Sequence, residues 1–283
     1  MEFFSARKRI TLTFVIITSL VASIYRIFLI KSNLEVSPSA DDFNYYLEDS
    51  LPIKVFAIII GCLILVYILF ALYTGRRLKN CLITGDPSVV FTSSLSGFLI
   101  LGSIFYYVFY YIKDKSELDF FVIAILVTGL FSAVYFLLSA SNKSEVNNSA
   151  LKWFSIAPIV CLSLRLLNDF IRQSTSHNPS SSAYLLLSII AFMLFFLAEG
   201  KIRIGSGNIT FYYMFGSLSI LLSLIYALPT LFLAAFWLFP TNFTTIYSAV
   251  DLTIVMYITA RLCRLKCSLK QDNIMATVPA KES

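Results

Sequence analysis

Of 283 residues, 58% are hydrophobic and only 13% are charged, against about 25% charged in a typical soluble domain, so the apolar excess must face lipid rather than fill a soluble core. No stretch between apolar runs is long enough for a separate globular unit. The net charge of +6 does not point to nucleic acid, because Lys and Arg sit in short clusters beside apolar runs rather than along one stripe. The expected class is all-α: a polytopic helical membrane protein with about eight transmembrane helices, one membrane domain over residues 1–283 and a short polar tail at 268–283.

A run of about 20 apolar residues crosses a hydrocarbon core about 30 Å thick. In chain order the runs are Ile10–Ile30, Ile53–Tyr73, Ser94–Ile112, Leu118–Ala140, Leu151–Ile171, Ala183–Gly200, Ile209–Leu231 and Thr244–Leu262. The seventh stays apolar to Phe239, and Pro229 removes a backbone donor near its end, so Thr230–Phe239 reads as a kinked or interfacial extension. Gly85-Asp86-Pro87 reads as a turn. A cleaved signal peptide would leave seven spans, but the first run continues to Ile30, beyond an h-region of about 7–15 residues.

Basic residues set the orientation. Arg7, Lys8, Arg9, Arg76, Arg77, Lys79, Lys143, Lys152, Lys201, Arg203, Arg261, Arg264, Lys266 and Lys270 fall on one side of the eight spans. Lys31, Lys54, Lys113, Lys115 and Arg172 fall on the other, diluted by Glu35, Asp41, Asp42, Glu48 and Asp49. The expectation is a multi-pass cell-membrane protein with both termini cytoplasmic. Tyr106, Tyr107, Tyr110, Tyr111 and Trp237 would then line the outer interface, and Trp153, Tyr212 and Tyr213 the inner one.

Val21-Ala22-Ser23-Ile24-Tyr25-Arg26 and Val160-Cys161-Leu162-Ser163-Leu164-Arg165 place an arginine at the same depth of spans one and five. Spans two and six end alike, before Arg76 and Arg77 and before Lys201 and Arg203. These matches suggest two parallel four-helix repeats, 10–140 and 151–262. The alternative is chance similarity among Leu- and Ile-rich segments.

A charge within a span costs roughly 2.5–3.5 kcal/mol on insertion scales, so each needs a partner, an escape to the interface or a function. Arg165 lies roughly 6 Å and Asp251 roughly 3 Å outward of mid-span at about 1.5 Å per residue. Asp169 is one helical turn from Arg165, and Arg26 is close enough to its span's end to snorkel. One reading is a polar cavity lined by Arg26, Arg165, Asn168, Asp169 and Asp251 that binds a small solute, an ion or a lipid head group. The other is a closed network that sets helix register. Arg165 is expected to pair with Asp251 or Asp169. Glu199, beside Lys201, reads as interfacial, and His177 as solvated in a Ser-rich loop. The pairs Ser19 with Ser23, Ser93 with Gly97, and Gly129 with Ala133 allow close helix packing.

No cofactor or metal is implied: there is one histidine, and Cys263 and Cys267 have no second ligand pair. H-E-x-x-H, G-x-S-x-G, Walker and Cys-x-x-Cys motifs are all missing from the sequence.

Leu164-Arg165-Leu166-Leu167, Tyr226-Ala227-Leu228-Pro229 and Val250-Asp251-Leu252 resemble segments of a group of eight-span membrane proteins of Gram-positive (Firmicutes) gut bacteria. That resemblance implies a bacterial plasma membrane and no particular reaction. Three functions stay open: a transporter-like or solute-binding protein, a membrane scaffold, sensor or accessory subunit, and a lipid-modifying enzyme using a carboxylate such as Asp251 as base.

Overall fold

Apolar runs this long form helices because lipid offers the backbone no hydrogen-bond partner outside its own segment. The computed structural model describes residues 2–32, 34–35, 45–46, 50–75, 78–82, 86–114, 120–141, 149–173, 179–236 and 243–269. The helices are α1 (Glu2–Ser32), α2 (Leu51–Gly75), α3 (Pro87–Asp114), α4 (Phe120–Ser141), α5 (Ser149–Phe154), α6 (Ala157–Gln173), α7 (Pro179–Ile204), α8 (Ile209–Ala235) and α9 (Phe243–Arg264). Among the described residues, eight spans are long and apolar enough to cross a membrane, α5 and α6 together making the fifth. The chain is an all-α polytopic protein. His177, Trp237, the 174–178 part of the Ser-rich loop and the tail beyond 269 lie outside the described residues.

Two small ribbons join loops, a feature the apolar pattern does not reveal. Strands β1 (Leu34–Glu35) and β2 (Tyr45–Tyr46) pair antiparallel after α1. Strand β3 (Leu78–Leu82), after α2, pairs antiparallel with β4 (Lys266–Leu269), after α9. The second ribbon brings the ends of α2 and α9 together. Tyr135 and Ser139, in the last turns of α4, meet Arg203 of α7 and Arg261 of α9. Spans two, four, six and eight therefore finish at one end of the bundle, here called basal; the other end is apical.

Local chemistry explains the boundaries. Proline needs no helical donor at a first turn, and Pro87 and Pro179 open α3 and α7. The Asp86 carbonyl accepts from Val89 and Val90, so Asp86-Pro87 is a helix start rather than a free turn. Pro158 cannot donate to the Phe154 carbonyl, and the fifth span breaks into α5 and α6 at Ser155 and Ile156. Gly205, with φ of +88°, ends α7. The Ser206 amide bonds the Lys201 carbonyl and the Gly205 amide that of Ile202, closing a Schellman turn. Asn208 then caps α8, its side chain accepting from the Thr210 amide at 2.9 Å.

Six helices form a closed circuit: α3 packs on α4, α4 on α6, α6 on α7, α7 on α8, α8 on α9, and α9 back on α3. Helices α1 and α2 lie outside it, against α8. Span two is accordingly the least buried and α8 the most buried. The α3–α4 contact uses the small residues picked out above. The Ser93 hydroxyl donates to the Phe136 carbonyl at 2.6 Å, and a Cβ on Gly97 would lie 3.0 Å from Leu137. Spans one and two, outside the circuit, and spans five and six, inside it, do not share equivalent neighbours.

α1 is fixed to α8 at two levels. Thr11 and the Tyr213 hydroxyl are 2.9 Å apart, and Arg26 Nη1 donates to the Ile225 carbonyl at 2.7 Å. The second bond has a backbone cause. Pro229 stands within α8 and, without an N–H, cannot supply the i+4 bond that the Ile225 carbonyl would otherwise accept. Arg26, only 4% exposed and 4.6 Å over the Tyr184 ring, supplies a donor instead. It does not snorkel. α8 runs on as helix through Ala235, so the kinked or interfacial extension expected from Thr230 is helical at least that far; residues 237–239 are outside the described set.

Arg26→Leu is expected to lower thermal stability in detergent by about 1–3 kcal/mol, the cost of a stranded buried carbonyl. With Pro229→Ala, the amide of residue 229 can bond Ile225 itself, and the same arginine change should cost less than half as much. Equal losses in both backgrounds would show that Arg26 does not act through that carbonyl.

Candidate functional site

The interior of the six-helix circuit is crossed by charged side chains at two levels. At the apical level, Arg165 of α6 meets Asp251 of α9 in a fork: Nη1 donates to Oδ1 at 2.6 Å and Nη2 to Oδ2 at 2.7 Å. Asp169, one turn along α6, lies 3.5 Å from Nε. The Tyr247 ring sits under the guanidinium at 4.3 Å, and Tyr107 of α3 packs against Tyr247 at 5.3 Å between ring centroids. Arg165 is 4% exposed and Asp251 fully buried. In so dry a place a lone guanidinium keeps its charge, and the bidentate carboxylate is the geometry that compensates it best. Both expected partners of Arg165 are therefore present, with Asp251 the principal one.

The basal level was not anticipated. Glu199 of α7 has no exposed surface and so is not interfacial. Its Oε1 accepts from Arg203 Nη2 at 2.8 Å and from the Tyr257 hydroxyl at 2.8 Å, and Arg261 Nε is 3.4 Å away. Arg261 also donates to the Tyr257 hydroxyl at 2.9 Å and to Ser139 at 2.5 Å, while Arg203 reaches the Tyr135 hydroxyl at 3.3 Å. α4, α7 and α9 are thereby tied together. Arg203 and Arg261, read from sequence as orientation signals, are structural groups as well. The usable sequence clue was the four-residue spacing of Glu199 and Arg203, which puts both on one helix face.

Between the two levels lies a cavity of about 50 Å³, measured over the positions open to a water-sized sphere, walled by α3, α4, α6, α7 and α9. It has room for more than one water. Arg165 and Tyr247 form part of its apical wall; Phe136 and Phe196 are on the wall nearest the basal network. The Tyr257 ring packs behind them, edge-on to Phe136 at 5.2 Å and stacked on Phe196 at 6.4 Å between centroids. Along α9, the ten residues from Asp251 to Arg261 separate the levels by about 15 Å.

Of the five residues expected to line one polar cavity, Arg165 does so; Asp251 and Asp169 stand behind it, holding its guanidinium. Asn168 is buried on α6, and Arg26 is docked on α7 and α8. Both oxygens of Asp251 are engaged by Arg165, an arrangement that ties up the carboxylate rather than presenting it as a base. Among the described residues no group of three His, Cys, Asp or Glu side chains could hold a metal.

Asp251→Asn should reduce folded yield and cost on the order of 3–5 kcal/mol, because it leaves a buried guanidinium undercompensated. Arg165→Leu combined with Asp251→Leu should regain much of that loss, read as the monodisperse fraction on gel filtration. A double variant no better than the single one would mean that the pair is not an energetic unit. No known family model, curated protein or solved structure matches this chain, and the site is read from its own geometry.

Proposed function

We propose that this chain is a solute-binding membrane protein of the transporter kind, with its chamber between the Arg165–Asp251 pair and the Glu199 network. The observation that carries this reading is the cavity itself, held at the centre of a closed helical circuit. Packed interiors have few voids larger than a water, and this one has Arg165 of the apical network on its wall and the basal network behind a layer of aromatic rings. Ion pairs of this kind can hold a pathway shut in one arrangement and part in another, and α9 contributes to both. The plasma membrane setting and cytoplasmic termini, argued from the Lys and Arg clusters, belong to the same proposal; the apical level then faces outward.

A second reading has its own support. The fork between Arg165 and Asp251 is complete, as a purely structural network would be, and a scaffold or accessory subunit needs nothing more.

Cys161 separates the two, since it lines the chamber. With Cys62, Cys81, Cys263 and Cys267 changed to Ser, a small impermeant methanethiosulfonate should modify Cys161 from outside faster in Asp251→Asn than in the parent. In inside-out vesicles, Glu199→Gln should have the corresponding effect. Cys161 equally unreactive in the parent and both variants, all folded, would favour the scaffold.

A further inference from the structure

The walls of the chamber restrict what it can hold. Most of its lining is hydrocarbon, including Ile100, Ile125 and Ile254. Its polar residues are Ser103, Ser132, Tyr107, Tyr247, Cys161 and Arg165. Among the described residues no carboxylate lines it. An inorganic or organic cation entering would find no carboxylate on the wall to offset its lost hydration, since Asp251 and Asp169 stand behind Arg165 and hold its guanidinium. An anion would fare little better, because the Arg165 charge is already compensated by Asp251, with Asp169 3.5 Å from its Nε. An anion there would lose its hydration beside two carboxylates and gain no uncompensated positive charge in return. Size sets the other limit: a space of about 50 Å³ favours a small occupant over one the size of a nucleotide.

Resting on the chamber reading above, we infer that the occupant is a small uncharged molecule of a few non-hydrogen atoms carrying hydrogen-bonding groups. Its apolar part would lie against the isoleucines and its polar end would meet the hydroxyls near Tyr107 and Tyr247. Hydroxyls suit this task because each can donate or accept, matching an amide, an alcohol or a urea without a fixed charge.

Three isosteres of the same size and different charge test the inference: acetamide, acetate and acetamidinium. The readout is the rate at which the small neutral reagent methyl methanethiosulfonate modifies Cys161 in the purified, folded protein bearing that cysteine alone. Acetamide at high concentration should slow modification about twofold or more, as half-occupancy or better of the chamber would. Acetate and acetamidinium at the same concentration, and sucrose at the same osmolality, should leave the rate unchanged. Ser132→Leu, which fills part of the chamber with hydrocarbon, should weaken the acetamide effect. Should that variant fail to fold, the isostere comparison in the unsubstituted background still decides. Protection by acetate or acetamidinium, or by none of the three, would overturn the uncharged class while leaving the chamber reading standing. A Cys161 that never reacts would sink the chamber, and this inference with it.

Discussion

A charge inside a membrane protein must be met by another charge or by an equivalent set of dipoles, and the rest of this structure is arranged around that constraint. Arg165 is neutralised by a carboxylate from a helix 86 residues further along the chain. Glu199 is neutralised by two guanidiniums, one on its own helix and one on α9. Arg26 has another remedy, a backbone carbonyl that a proline has left available. Each solution fixes the rotation and depth of a helix, because a displaced span would strand an ion in low dielectric.

These networks account for the shape of the interior. Side chains as long as arginine and tyrosine, reaching across a closed circuit of six helices, hold the helix backbones at a distance that aliphatic packing alone would collapse. α9 lies opposite both α6 and α7 and is linked to them by Arg165–Asp251 and by Glu199 with Tyr257 and Arg261. Aromatic rings fill the basal half of the space between them, with Phe136, Phe196 and Tyr257 in mutual contact. The apical half is only partly filled, and the cavity remains there. The lipid-facing surface is less exacting: exposed Ile58, Leu69 and Phe105 need only be apolar.

The apical pair was legible in the sequence because Arg165 and Asp251 interrupt otherwise apolar runs, and few side chains can neutralise an arginine at that depth. The basal network was not legible, although its members are just as buried. Glu199, Arg203 and Arg261 stand at the ends of their spans, where charged residues normally meet the head groups, so position along the chain concealed their burial. Tyr135 and Tyr257 looked like two more aromatic residues in an aromatic-rich protein. Their hydroxyls acquire meaning only when Glu199 and the two arginines are placed beside them.

The sequence by itself determined the number of spans, their approximate limits and their alternation, because hydrocarbon thickness and backbone hydrogen bonding leave a long apolar run only one way to cross a bilayer. The breaks at Pro158 and Gly205 have local backbone causes, but the apolar pattern reads 151–171 as one unbroken run and did not reveal them. The tertiary structure alone decided which helices close the circuit, that α1 and α2 stay outside it, and that a chamber lies between two ionic levels. Those outcomes depend on contacts between residues tens to hundreds of positions apart, such as Arg26 with Ile225 and Ser139 with Arg261. Periodicity along one helix carries no record of which other helix its polar residues will meet.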